Sequence, residues 1–163
     1  MIKMGDLQKL YESFGFKNIH TYIQSGNVVF QFKKSKTAEL ATKISKLIND
    51  KYNFEVPILV LETDELRLIL ENNPFVNTRN EDSTKLHITF LEDAPNKAAI
   101  AKISGNFSPD EYLINGKAIY LFCPNGYGNT KLNNNYFESK FKLTATTRNW
   151  KTSNELLKIA ESI

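Results

Sequence analysis

The sequence predicts an α+β protein built of two ferredoxin-like (split βαβ) units in tandem, the first lacking its N-terminal strand, with one further helix at the C-terminus. Three observations carry this. Segments with three- and four-residue apolar spacing alternate with short β-branched and aromatic runs, first in the order α-β-β-α-β and then as β-α-β-β-α-β-α. Two turn pairs, Ser25-Gly26 and Asn115-Gly116, lie between strand-like runs and predict hairpins. A polar, charged stretch from Asn77 to Thr84 separates the two series, which places one unit with its connecting helix at 1–76 and the other at 77–163.

Each element has a local reason. Met4, Leu7, Leu10, Tyr11 and Phe14 recur at helical spacing, and Gly15 followed by Phe16 supplies the left-handed stop and its apolar contact. Residues 18–24 and 27–32 are the strands of the first hairpin, with Val28, Phe30 and Phe32 sharing the apolar face. Leu40, Ile44, Leu47 and Ile48 form one face of a second helix, with Thr37 as its N-cap. The run Val56-Pro57-Ile58-Leu59-Val60-Leu61 is short and apolar throughout, which predicts a strand buried on both faces. A short helix from Thr63 to about Asn73 stops at Pro74. The second series predicts a strand over 86–91, a helix from Asp93 and Pro95 to about Ile103, and a hairpin over 112–122. A helix over 134–141, a strand over 143–146, and a last helix carrying Leu156, Ile159, Ala160 and Ile163 complete it.

The first series differs from the second in having no strand before its first helix. In a split βαβ unit that strand lies inside the sheet, so its absence leaves Val56–Leu61 with no neighbour for its backbone groups. The expectation is that the sequence lacks an N-terminal segment, either because translation was assigned to an internal methionine, Met1 or Met4, or because residues were left out; the alternative is that some other strand pairs there.

Composition bounds function only loosely. The 163 residues are 41% hydrophobic and 24% charged, as in an ordinary globular protein, and one cysteine, Cys123, excludes an internal disulfide. No run approaches the roughly 20 apolar residues of a spanning helix and no leader pattern opens the chain, so a cytoplasmic protein without a membrane partner is expected. A formal charge of +3 is too mild to demand nucleic acid.

Three stretches are distinctive. Thr21-Tyr22-Ile23-Gln24-Ser25-Gly26-Asn27-Val28-Val29-Phe30, preceded by Lys3-Met4-Gly5-Asp6-Leu7, resembles the bacterial domain-of-unknown-function family numbered 1697. Asn125-Gly126-Tyr127-Gly128-Asn129-Thr130-Lys131-Leu132 is similar to that family's glycine loop, and Thr146-Thr147-Arg148-Asn149-Trp150 to its C-terminal motif. Members typically begin with a strand and a glycine-containing loop, which this sequence lacks. The resemblance implies paired ferredoxin-like units and brings no established activity.

Chemistry is expected where these polar motifs fall. Gly126 and Gly128 would let backbone N–H groups approach an anion, Thr130 and Lys131 add a hydroxyl and a charge, and Tyr127 lies between the glycines. The spacing is not that of a P-loop. Arg148 and Asn149 at the start of the last helix add a guanidinium beside a helix N-terminus. Trp150 either stacks on a ligand or packs in the core, the latter being the commoner use of such a residue. Gln24, Ser25 and Asn27 complete the candidate ligand-binding set, although turn geometry alone also selects Ser and Asn. No catalytic group stands out: Cys123 has only His20 and His87 as bases, and two histidines with one cysteine at no ligand spacing predict neither a metal site nor a cofactor. The function expected is a binding module for an anionic ligand, a nucleotide or nucleic-acid phosphate. The alternatives are an enzyme on a small phosphorylated or carboxylated molecule in the same cleft, and a protein-interaction domain using open sheet edges.

Overall fold

The computed structural model describes residues 2–23 and 26–163, and among these it is a mixed α+β protein with two antiparallel sheets and seven α-helices. Its close contacts divide it into Met1–Leu66 with Asn154–Ile163, and Arg67–Ser153. The boundary expected from polarity lay ten residues later, at 76/77, and kept the last helix in the second part; the charged stretch 77–84 instead lies inside the second unit. No helix of the described residues is long and apolar enough to cross a membrane.

In the first unit, α1 (Met4–Ser13) is stopped as its sequence predicts. Gly15 has φ +98°, its N–H reaches the Glu12 carbonyl, and the Phe16 N–H reaches Tyr11, the bonding of a left-handed helix stop. That turn drops Phe16 against Tyr11, ring centroids 5.4 Å apart and edge to face. β1 (Lys17–Tyr22) and β2 (Asn27–Gln31) form the hairpin, with Tyr22 opposite Asn27. α2 (Thr37–Tyr52) begins one residue earlier than a Thr37 cap implies: Thr37 is already helical, and Lys36 is the N-cap without a side-chain bond. Leu7, Leu10, Tyr11, Phe16, Ile19, Leu40, Ile44 and Ile48 make the core, and Val28, Phe30 and Phe32 of the hairpin pack on it. Burial pushes the Tyr11 phenol up to about 12.

Val56–Leu61 corrects the expectation of a strand buried on both faces. The segment is not in any ladder and is only partly buried, with Pro57 exposed. Val56, Ile58 and Val60 nonetheless pack on the first core, the every-second-residue facing of an extended segment. A strand is completed by a partner, and among the described residues no ladder joins this segment to one.

In the second unit, β3 (Leu86–Leu91) lies between β5 (Ala118–Phe122) and β6 (Ala145–Asn149), and β4 (Glu111–Asn115) flanks β5, all antiparallel. Chain order here is β3, α5 (Lys97–Ile100), β4, β5, α6 (Asn134–Phe141), β6. One face, through Leu91, Ile119, Leu121, Cys123 and Ala145, packs on Phe137 and Phe141 of α6. The other carries Leu86, Ile88, Phe90, Ala118 and Tyr120, all buried. There the Tyr120 hydroxyl donates to the Ile69 carbonyl of α3 (Thr63–Glu71) at 2.7 Å, and Phe122 meets Phe75 of α4 (Pro74–Asn77).

Three boundaries moved. The helix expected over 93–103 shrinks to α5, because Asn96 rather than Asp93 caps it, its Oδ1 accepting from the Ala99 N–H at 2.7 Å. β6 runs three residues past the expected 146, since Thr147, Arg148 and Asn149 pair with Thr89, Ile88 and His87 of β3. The last helix, α7, spans Trp150–Ser162.

Candidate functional site

The loop after β5 uses its own backbone. The Gly126 N–H donates to the Cys123 carbonyl at 3.0 Å, the Asn129 N–H to Gly126 at 3.3 Å and the Thr130 N–H to Tyr127 at 3.1 Å, closing a short 3-10 turn over Tyr127–Asn129. The Asn129 side chain closes the same loop on the Asn125 carbonyl at 2.8 Å. Gly126 sits at φ +90°, a geometric need of the turn. Thr130 is buried, and its Oγ1 accepts from the Leu132 N–H. The N–H groups of 126, 129 and 130 are thereby consumed inside the loop. Gly128 and Lys131 are exposed.

Tyr127 is turned onto the sheet, where its ring stacks on His87 with centroids 5.0 Å apart and planes 24° from parallel. His87 is half-buried in β3 directly opposite Asn149. Burial lowers its pKa from the ordinary 6.5, with the Lys85 backbone pulling the other way, and its Nδ1 is sealed from solvent without a hydrogen-bond partner. At neutral pH the imidazole is therefore uncharged. The sequence offers His87 as a base for Cys123, and the signal for its placement here is one ionisable residue inside the apolar run Leu86–Leu91.

Arg148 does not join this group. It belongs to β6 rather than to the helix start, and alternation along the strand puts its side chain on the sheet face opposite Thr147 and Asn149. Its Nη1 donates to Thr146 Oγ1 at 2.7 Å and to the Thr147 carbonyl at 2.9 Å. Burial lowers its pKa, but a guanidinium so placed remains charged. On the other face the Thr147 hydroxyl donates to Asn134 Oδ1 at 2.5 Å and stands 2.7 Å from the Thr89 hydroxyl. Asn149 is spent as a cap: its Oδ1 accepts from the Thr152 N–H at 2.7 Å and its carbonyl from the Ser153 hydroxyl at 3.0 Å. Arg148 thus belongs to the strand rather than to the helix start expected for it, and Asn149 takes one of the first N–H groups of that helix. Trp150, first residue of α7, is half-buried.

Asn27 lies in the first unit, buried, its Nδ2 donating to the Tyr22 carbonyl at 3.1 Å across the hairpin mouth. Gln24 and Ser25 lie outside the described residues. The structure therefore brings together Tyr127 with His87, and His87 with Asn149, on one end of the second sheet, with Lys131 four residues along the same loop as Tyr127. Cys123 is fully buried, and burial raises its thiol to about 11, far from a reactive thiolate. Among the described residues no group of three His, Cys, Asp or Glu side chains could hold a metal ion.

No curated protein matches the chain. Among solved structures it is similar to the conserved bacterial protein SP0830 from Streptococcus pneumoniae, at 22% identity and a TM-score of 0.73, over 98% of this chain and 89% of that one, a likeness of fold. The profile of a protein family of unknown function, DUF1697, matches residues 1–120, and the chain belongs to that family.

Proposed function

We propose that the protein is a binding module for an anionic ligand, a nucleotide or nucleic-acid phosphate, carried on the second of two ferredoxin-like units of which the first is short of one strand. The βαββαβ order of the second unit and its sheet order, β4-β5-β3-β6, support the fold reading. The observation that carries the functional reading is the stacked Tyr127–His87 pair beside a loop that presents exposed Lys131. A half-exposed aromatic face accepts a base or sugar by stacking, and a lysine on the same loop supplies charge for phosphate. Charge distribution favours the same unit: Arg67–Ser153 holds 11 basic and 8 acidic residues, whereas the first unit is balanced at ten of each. Arg148 enters this reading as a structural residue of the opposite face and Asn149 as a helix cap.

Calorimetric titration with inorganic phosphate, nucleoside monophosphates and a short single-stranded RNA tests it. Lys131→Ala is expected to weaken the ligand that binds by roughly 1–3 kcal/mol and to flatten its salt dependence, while Tyr127→Ala weakens nucleotides more than inorganic phosphate. Binding that survives both substitutions unchanged, or absence of binding across the set, overturns the reading.

A further inference from the structure

The asparagine-glycine pair occurs twice in the chain, as Asn115-Gly116 at the turn between β4 and β5 and as Asn125-Gly126 in the loop after β5. This pair is the one most open to closure of the asparagine side chain onto the next backbone nitrogen. Glycine sets no Cβ beside that nitrogen and lets the peptide turn freely. Both asparagines are exposed, so access does not distinguish them. The state of the nitrogen does. The Gly126 N–H is spent on the Cys123 carbonyl at 3.0 Å, and the Asn125 carbonyl of the same peptide accepts from Asn129 Nδ2 at 2.8 Å, so that peptide is held at both ends. The Gly116 N–H bonds to no described group. Gly116 is exposed at φ +59°, and nothing lies within 4 Å of where its Cβ would stand.

We propose that Asn115 is a site of spontaneous modification, at which the side-chain amide is lost and aspartate and isoaspartate take its place. This inference stands apart from the ligand reading. The Gly116 nitrogen bonds to Cγ of Asn115 and gives up its proton; the Cγ–Nδ2 bond breaks, and Nδ2 leaves with that proton as ammonia, closing a cyclic imide. Water then adds to one ring carbonyl and breaks the bond from that carbon to the Gly116 nitrogen, which regains a proton. Opening at Cγ leaves aspartate. Opening at the main-chain carbonyl leaves isoaspartate, with the chain running through Cβ and Cγ. One water enters, one ammonia leaves, nothing is oxidised or reduced, and the residue gains a negative charge. Ring closure requires Asn115 to turn out of its pairing with Ala118. That pair is the last of its ladder, and β4 is an outer strand with no described strand on its other side, so the mouth opens locally. The Lys117 carbonyl, bonded to the Leu91 N–H at 2.8 Å, keeps the far side of the turn on the sheet meanwhile. Isoaspartate lengthens the backbone just before a two-residue turn that sets the register, and so loosens the Asn115–Ala118 end of the hairpin.

Incubating the folded chain at mildly alkaline pH in water enriched in heavy oxygen, then digesting it at mildly acidic pH for mass spectrometry, tests this. The expected result is one heavy oxygen gained at residue 115, on the order of tenfold or more faster than at residue 125, with aspartate and isoaspartate both present. In urea the two sites should convert at comparable rates, because the bonds that hold Gly126 are gone. Equal rates in the folded chain, faster conversion of Asn125, or conversion of Asn115 only where urea unfolds the second unit overturns the proposal. A difference that persists in urea overturns the assignment of that difference to the fold. Aspartate without isoaspartate overturns the route through Gly116, since direct attack of water on Cγ gives that product alone.

Discussion

Replacing Thr147 by valine, a near-isostere suited to a strand, should destabilise the second unit through a single removed oxygen. Asn134 Oδ1 can only accept, so the Thr147 hydroxyl donates to it and the Thr89 hydroxyl must donate to Thr147. Valine leaves two groups without their partner. Asn134 is partly exposed and can turn to water, but Thr89 is 0% exposed and its hydroxyl has nowhere to go. The cost is that of one buried donor left unmet, about 1–3 kcal/mol, which for a unit of this size lowers Tm by roughly 4–8 °C per kcal/mol. Urea unfolding followed by circular dichroism reads the free energy, and the double variant Thr89→Val/Thr147→Val reads the coupling. It should recover part of the loss, because both unsatisfied hydroxyls are then gone. A Thr147→Val protein with unchanged midpoint, or a double variant whose losses simply add, would refute the reasoning.

Other expectations follow from the same geometry. Phe137→Ala removes a fully buried ring packed between those of Tyr136 and Phe141 and should cost about 3–5 kcal/mol in the same urea assay. Gly126→Ala has room for its Cβ, whose nearest neighbour is Asn129 Nδ2 at 4.0 Å, but not for its φ, so a loss of roughly 1–3 kcal/mol is expected and an unchanged Tm would mean the turn is not needed. Because the pKa of His87 is lower folded than unfolded, the unfolded chain takes up its proton first and stability should fall as pH drops below about 6.5. His87→Gln should flatten that part of the stability profile, and an identical profile in the variant would contradict the assignment. Cys123 should resist a thiol reagent at pH 8 in the native protein and react fully in urea; prompt native labelling would contradict its burial.

Much of the fold could be read locally, and the exceptions share one cause. Gly15-Phe16, Asn115-Gly116 and the spacing of Leu40, Ile44 and Ile48 announce a stop, a turn and a helix face, because those choices are made within a few residues. Val56–Leu61 could be read as extended and, from the strand missing before α1, as short of a neighbour, but not as only partly buried and outside every ladder, since burial and pairing belong to whatever lies beside it. The end of β6 was misplaced for the same reason: Thr147-Arg148-Asn149 has no apolar pattern, and its strand character comes from β3. The site was legible as motifs and not as geometry. Which amides of the glycine loop point outward depends on bonds such as Thr130 to Tyr127, and one residue of alternation decides that Arg148 and Asn149 face apart. His87 was missed because its partner Tyr127 lies forty residues away in sequence.

The most direct measurement of the central claim is a nitrogen–proton correlation spectrum of the labelled chain, recorded while adenosine monophosphate is titrated in. The account predicts saturable shifts concentrated at Tyr127, Gly128, Lys131 and His87, with the His87 ring protons moving upfield as a base stacks beside Tyr127. Arg148, on the other sheet face, should stay still. Shifts centred on Arg148 or on the first unit, or no saturable shift at these residues with adenosine monophosphate, inorganic phosphate or short RNA, would contradict it.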